Sequence, residues 1–261
     1  MLSPSLARVV EIALGAGEVV LSRYGRKSLA VTDKEDGSPV TDADIAADGF
    51  IRQELAETWP HPILSEEGDE NPWSVRQGWE RFWLVDPLDG TKDFLAGTGE
   101  FCVNIALVES GLPVLGVIAA PISGAIWAAE RGRGTVKLIG GAPAALHGAR
   151  HSGPFIGLKS SFNAPPEADA YLAQLHLDEI RPVGSALKFG LMADGIADAI
   201  VSFSKSKAWD IASGHLIAAE AGCHCARIGS SEALSYARED LTNPPFIVAS
   251  PRLLARSGSG N

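Results

Sequence analysis

Arg81-Phe82-Trp83-Leu84-Val85-Asp86-Pro87-Leu88-Asp89-Gly90-Thr91-Lys92-Asp93-Phe94 is the stretch whose reading decides this fold. Phe82 to Val85 is an apolar run, long enough for a buried strand and too short for a helix. Pro87 has no N–H to give the ladder, so the chain is expected to leave the sheet just after Asp86. Asp86 and Asp89 then sit at a strand end, on a turn closed by Gly90. Neighbouring like charges repel and raise each other's pKa, and a divalent cation between them removes the conflict. Oxygen ligands without a neighbouring histidine or cysteine point to magnesium or manganese rather than zinc. Gly90 and Thr91 offer backbone N–H groups at the start of a helical turn over Thr91 to Phe94, a seat suited to phosphate. Taken alone, Asp-Pro-x-Asp-Gly is equally an ordinary polar turn, and the rest of the chain has to decide.

Composition narrows the classes. The 261 residues are 46% hydrophobic, enough for one large core or two packed halves. The longest apolar stretches contain Gly or Pro, so no stable membrane insertion is expected. Met1-Leu2-Ser3-Pro4 runs almost directly into an amphipathic segment, and no signal peptide is expected. Cys102, Cys223 and Cys225 are odd in number and two are nearly adjacent, which argues against a disulfide framework and for a cytoplasmic location. Cys223-His224-Cys225 lacks a second pair at zinc spacing and reads as structural. The net charge of −10 makes nucleic acid an unsuitable partner. Phosphate is then expected only at a small site where metal ions reverse the local sign.

Outward from the central stretch, Ser5 to Tyr24 reads as an amphipathic helix ended by Gly25, and Gly37-Ser38-Pro39 as a turn. A second helix follows Thr41, with Asp42 and Asp44 in its first turn and simple capping assigned to Asp42. Pro62 to Leu64 reads as a strand ending at Ser65-Glu66-Glu67-Gly68, followed by a polar loop over 69–78. Cys102–Glu109 and Leu112–Ala120 read as a hairpin turned by Ser110-Gly111, with further strands at 126–130 and 135–139. Residues 140–153 read as the connection to a second half. From Phe155 strands and helices alternate: strands at 155–158, 180–183, 199–202 and 246–249, helices at 167–177, 185–194 and 209–221. The expectation is an α/β unit over 146–261 packed on an α+β unit over 1–145, the two forming one functional unit, with a disordered tail over 257–261.

Four acidic points stand at element ends: Asp44, Glu66, the Asp86/Asp89 pair, and Asp210 in Lys207-Ala208-Trp209-Asp210. Ser38-Pro39-Val40-Thr41-Asp42-Ala43-Asp44, Ile63-Leu64-Ser65-Glu66-Glu67, Trp83 to Thr91, and Trp209-Asp210-Ile211-Ala212-Ser213-Gly214 together resemble the signature blocks of the inositol monophosphatase superfamily. They occur in that family's order and span nearly the whole chain. The resemblance implies a layered αβαβα sandwich and a metal-dependent, lithium-sensitive phosphatase with two or three Mg²⁺ per site, Mn²⁺ being a possible substitute. It implies metal ligation by Glu66, Asp86, the Leu88 carbonyl, Asp89 and Asp210. It also implies that Thr91, supported by Asp44, helps Glu66 activate water, and that the Gly90 and Thr91 amides hold phosphate. Paired metals can generate hydroxide and stabilise the leaving oxygen, so no protein nucleophile is required.

The branch is a finer question. Gly90-Thr91-Lys92-Asp93-Phe94, Gly99 to Leu107 and Val183-Gly184-Ser185-Ala186-Leu187-Lys188-Phe189 are most similar to the CysQ-type 3'(2'),5'-bisphosphate nucleotidases. These release the 3'-phosphate of adenosine 3',5'-bisphosphate, a by-product of sulfur metabolism. Inositol phosphatases usually lack that lysine and carry a glutamate shortly before Trp-Asp, whereas here Val201 to Lys207 has no acid. The nucleotidase pattern is not complete either, since Ser202 falls about where an arginine stands in that branch. Lys205 and Lys207 either replace its charge or are simply solvated. Substrate contacts are thus expected from Leu88, Asp89, Gly90, Thr91, Gly184, Ser185, Asp210, Lys205, and Lys188 opening outward from its helix start. The partner is a small phosphorylated substrate, and the chain a monomer or homodimer. The alternatives are an inositol or other sugar monophosphatase and, more remotely, a non-catalytic binding protein on the same scaffold.

Overall fold

A computed structural model describes residues 2–26, 31–33, 39–148, 152–162, 164–230 and 232–258. In chain order the elements are α1 (Pro4–Leu21), β1 (Val31–Asp33), β2 (Pro39–Thr41), α2 (Asp42–Thr58), β3 (Ile63–Ser65), α3 (Trp73–Arg76), β4 (Arg81–Asp89), α4 (Thr91–Ala96), β5 (Cys102–Glu109), β6 (Leu112–Ala120) and β7 (Ala125–Glu130). They continue with β8 (Thr135–Ile139), β9 (Ala142–Leu146), β10 (Ile156–Ser160), α5 (Pro166–Gln174), β11 (Glu179–Val183), α6 (Leu187–Ala193), β12 (Ala199–Ser202), α7 (Ala208–Glu220), β13 (His224–Arg227), β14 (Phe246–Ala249) and α8 (Pro251–Gly258).

Seven strands form one sheet in the order β3-β4-β5-β6-β7-β8-β9, parallel only between β3 and β4. Five form a second, β11-β10-β12-β14-β13, whose β10 pairs in parallel with both β11 and β12. Apolar residues of α1 and α2, among them Val9, Ile12, Ile51 and Leu55, bury against Trp83, Val85 and Val103 on one face of the large sheet. On its other face Leu84, Ala106 and Trp127 share a continuous core with Phe189 of α6, Trp209 and Leu216 of α7, and Ile200 and Val248 of the second sheet. Leu172 of α5 and Leu253 of α8 cover the far side of that sheet. The layers therefore run αβαβα, the sandwich that the resemblance implies.

Local chemistry explains the ends. Ser3 caps α1 by accepting Leu6 N–H at 3.1 Å, with Pro4 opening the helix. Ser110 and Gly111 both take positive φ, 50° and 79°, the pair of conformations a two-residue hairpin needs.

The backbone approaches closely where α7 meets the sheet. A Cβ on Gly116 would lie 2.8 Å from Ser213 O, and one on Gly214 would lie 2.3 Å from the Phe189 ring. Gly116 lets β6 and α7 touch without an intervening side chain, and Gly214 makes room on α7 for the Phe189 ring of α6.

The structure corrects four expectations and agrees with a fifth, the structural reading of Cys223-His224-Cys225. The chain does not leave the sheet after Asp86: Asp86 faces Asn104 and Asp89 faces Cys102, so Pro87 and Leu88 form a bulge opposite Val103 and the ladder resumes. The polar loop over 69–78 contains the short helix α3. The supposed connection over 140–153 begins with β9, which pairs with β8 and extends the large sheet to Leu146. Cys223-His224-Cys225 leads into β13, and its two thiols are free. Finally, α8 reaches into the segment expected as a disordered tail, of which residues 259–261, like Gly37 and Ser38 of the expected turn, lie outside the described residues.

Candidate active site

Glu66, Asp86 and Asp210 are brought together by the end of β3, the bulge in β4 and the start of α7. Ser65 pairs with Val85 in the parallel ladder, and Glu66 N donates to Val85 O at 3.1 Å, which sets Glu66 one step past β3. Asp86 sits where the β4 bulge begins and accepts Leu88 N–H at 3.1 Å. Asp210 occupies the third position of α7, where its Oδ2 accepts Lys207 N–H at 2.8 Å and caps the helix. One carboxylate oxygen from each of the three lies within 4.8 Å of the others. Three carboxylates without nitrogen or sulfur donors suit a hard divalent cation.

Asp89 lines the same cleft but stands outside this triad. Its Oδ2 accepts Ala186 N–H at 2.5 Å, Asn104 Nδ2 at 3.1 Å and the Cys102 thiol at 3.8 Å, which holds that oxygen in place. The Leu88 carbonyl accepts the Thr91 hydroxyl at 3.2 Å. Thr91 Oγ1 also lies 3.2 Å from Asp44 Oδ1. The other Asp44 oxygen accepts Thr41 N–H at 2.8 Å and the Thr41 hydroxyl at 2.7 Å. This reverses the capping expectation: Asp44 closes the capping box of α2, while exposed Asp42 only approaches Arg23 at 3.9 Å.

Burial raises Asp86 and Asp210 well above the ordinary carboxylate range, and the charge of Glu66 pushes both further up. Asp89 is pushed up to about 6 by burial, held back by Lys188 and by the Ala186 and Asn104 hydrogen bonds. Asp44 is also raised by burial, against the lowering effect of its Thr41 bonds. A cluster this costly in its charged form is what a cation would relieve.

The cleft above the triad has a volume of about 830 Å³. Gly90, Thr91, Gly184, Ser185, Lys188 and Lys205 all line it. Lys205 is exposed at its rim. Gly184 N–H is taken by Glu100 Oε2 at 2.7 Å. Lys188 does not open outward; its ammonium turns back under its own helix start and donates to Val183 O at 3.1 Å and to Ser185 O.

Sequence reasoning missed Asn104, Phe162 and Phe203. A single Asn inside the apolar run Cys102–Leu107 was the available signal for the first. Phe162 and Phe203 carry no local signal, because only the fold puts them on the cleft wall.

Linkage gives a testable consequence. The folded-state pKa values of Asp86, Asp89 and Asp210 lie above their unfolded values, so the folded chain binds more protons across that interval. Metal-free stability should therefore fall as pH rises from the ordinary carboxylate range through about 6 and beyond. Mg²⁺ needs the charged carboxylates, so its stabilisation should grow across the same window, reaching about 2.7 kcal/mol at a hundredfold excess over Kd. Thermal melts with Mg²⁺ and with chelator at about pH 5 and about pH 8 check this. An equal metal effect at both would count against a cation at these carboxylates.

Comparison with known proteins follows from this geometry. A family model described as the inositol monophosphatase family matches residues 1–259. The 3'(2'),5'-bisphosphate nucleotidases CysQ of Shigella flexneri and of Escherichia coli strain K12 are each 41% identical over 247 residues, covering 94% of this chain and 99% of theirs. Among solved structures, CysQ from Bacteroides thetaiotaomicron superposes with a TM-score of 0.84 at 38% identity, covering 94% of this chain and 97% of that one. The Thermotoga maritima IMPase does so with a TM-score of 0.79 at 26% identity, covering 98% and 95%.

Proposed function

This chain belongs to the inositol monophosphatase family, and from that premise we propose that it is an Mg²⁺-dependent 3'(2'),5'-bisphosphate nucleotidase that converts adenosine 3',5'-bisphosphate and water to AMP and phosphate. The observation that carries the phosphatase chemistry is the convergence of Glu66, Asp86 and Asp210 at the floor of the cleft. The nucleotidase branch rests on the 41% identity with the CysQ enzymes over nearly the whole chain.

Glu66, Asp86, Asp89, Asp210 and the Leu88 carbonyl would hold the metal. When bound, Mg²⁺ supplies the positive charge that acidifies the attacking water and neutralises the phosphoryl oxygens. The residues of the chain do the rest. The Thr91 hydroxyl has Asp44 Oδ1 and Leu88 O as alternative acceptors; donating its hydrogen bond to Asp44 leaves its oxygen lone pairs to accept from water and orient it with Glu66. The attacking oxygen forms the new P–O bond and the ester oxygen leaves as the sugar hydroxyl, so no covalent enzyme intermediate is needed. The Gly90 and Thr91 backbone borders the place where phosphate would sit.

Specificity is assigned to the outer cleft. Phe162 and Phe203 offer a flat apolar surface for a base, with Phe203 packed on Tyr171 at 6.0 Å between ring centroids. Lys205 offers charge to a second phosphate at the rim.

Adenosine 3',5'-bisphosphate should be hydrolysed with higher kcat/KM than inositol 1-phosphate. Lys205→Ala should raise KM for the bisphosphate about tenfold, the effect of losing one charge-assisted contact of roughly 1.5 kcal/mol. A phosphate-release panel on the purified protein decides it. Preference for the inositol ester would move the chain to the sugar-phosphatase branch, and an unchanged KM would remove Lys205 from the site.

A further inference from the structure

We propose that Lys188 is a positioning residue for the Asp89 carboxylate, acting through the Gly184-Ser185-Ala186 turn rather than by touching substrate. The inference rests on the metal-dependent reading above. The turn joins β11 to α6, and its polar groups are taken up on both sides. Gly184 N–H donates to Glu100 Oε2 at 2.7 Å, and Ala186 N–H donates to Asp89 Oδ2 at 2.5 Å. On the opposite edge, the carbonyls of Val183 and Ser185 converge on the single Lys188 ammonium. Two of its three N–H groups are thereby used, and the negative charges of Asp89, Asp93 and Glu100 surround it.

The turn does not hold its shape unaided. Ser185 takes a φ of 53°, a left-handed conformation unfavourable for a residue with a Cβ. Gly184 lets the turn pack directly on its neighbours, since a Cβ there would lie 2.5 Å from Asp93 Oδ2 and 2.8 Å from Glu100 O. Asp93 is itself fixed, its Oδ1 accepting the Thr98 hydroxyl at 2.8 Å. The lysine therefore supplies what the strained turn lacks: a donor to both carbonyls and a charge that offsets three acids. Without it, Ser185 can relax toward an ordinary conformation and carry Ala186 N–H away from Asp89. Asn104, through its 3.1 Å bond, and the Cys102 thiol, at 3.8 Å, would then be left to orient that carboxylate. Groups that orient metal-binding carboxylates typically matter by 10–100-fold in metal affinity.

The test is calorimetric titration of the full-length protein with Mg²⁺ alone, followed by steady-state kinetics at saturating Mg²⁺. Lys188→Met should bind Mg²⁺ about 10- to 100-fold more weakly, and Lys188→Arg should recover most of the affinity. KM for adenosine 3',5'-bisphosphate at saturating metal should stay at the wild-type value. Wild-type Mg²⁺ affinity in Lys188→Met would overturn the proposal. So would a rise in KM for the bisphosphate that is absent for a monophosphate ester, since that pattern marks a direct phosphate contact. Where Lys188→Met does not fold, Lys188→Gln decides by the same titration, weakened Mg²⁺ binding supporting the role and unchanged binding refuting it. A wild type that hydrolyses no phosphoester, yet whose Mg²⁺ binding depends on Lys188, would refute the nucleotidase reading and leave this inference standing.

Discussion

Asp210→Asn is expected to lower phosphatase turnover by ~10³-fold or more while leaving the metal-free protein at least as stable as the wild type. Transition-state charge stabilisation by a bound metal is worth several kcal/mol, and about 4 kcal/mol corresponds to ~10³ in rate. The substitution keeps shape. Asparagine Oδ1 can still accept the 2.8 Å bond from Lys207 N–H that caps α7. What it removes is one of three carboxylate charges that repel within 4.8 Å of each other, of which only Asp86 is fully buried. Burial and Glu66 already disfavour charged Asp210, so a neutral amide should relieve the empty site as it disables the loaded one. Asp89→Asn should fail in the same direction, since its amide would meet the Ala186 N–H or the Asn104 amide donor-to-donor or leave the cleft with one charge fewer. Turnover and chelator-treated melts measured on the same preparation check both halves. Full activity of either variant, or of the wild type in excess chelator, would defeat the metal reading.

Thr91→Ala comes next in size. Positioned proton transfer contributes typically about 10²–10⁴-fold, and the loss should appear in kcat more than in the Mg²⁺ concentration needed for activation. Thr91→Ser, which keeps the hydroxyl, should retain most turnover. Asp44→Asn is the more telling partner. Its Oδ1 can take over the two Thr41 bonds that close the capping box, leaving the amide to face Thr91 across 3.2 Å. An amide donates where the carboxylate accepted, so the Thr91 hydroxyl would turn to Leu88 O and its lone pairs away from water. Asp44→Asn should therefore resemble Thr91→Ala in kcat with little change in melting temperature. Normal turnover with weakened metal binding in Thr91→Ala would show instead that Thr91 only shapes the β4 bulge.

Most of the acidic cluster was legible because its residues carry local signals. Glu66, Asp86 and Asp89 follow apolar strands and precede glycines, and Asp210 opens a helix beside Trp209. The sandwich was implied by the family resemblance that the four blocks carry, and the alternating elements agreed with it. The misreadings have other causes. Pro87 truly lacks an N–H, but a bulge lets a strand absorb it and resume at Asp89, and no local rule distinguishes absorption from termination. Asp42 and Asp44 differ by two positions in one helix turn. Asp44 caps because it stands three residues after Thr41, the capping-box spacing, a signal the sequence carried and the reading passed over. Strand β9 is Ala-Pro-Ala-Ala-Leu, with no alternation, and exists because β8 offers an edge. Lys188 reads as a lysine on a helix, and only tertiary structure reveals that its own preceding turn claims its ammonium.

The close approach of α7 to the large sheet bears on how such a chain can be recombined. Gly116, before Leu146, meets the backbone of Ser213, after it, with no space for a methyl group. Inserting a carbon into such a contact typically costs about 1–3 kcal/mol, and Asp210 stands one helical turn from Ser213 and Gly214. A hybrid gene that crosses over near codon 146 would draw the two faces of this contact from different parents. It would misplace Asp210 relative to Glu66 and Asp86 in the same event that loosened the core. The two lengths of chain are therefore inherited as a matched pair, and the site they share is workable only when both come from compatible stock.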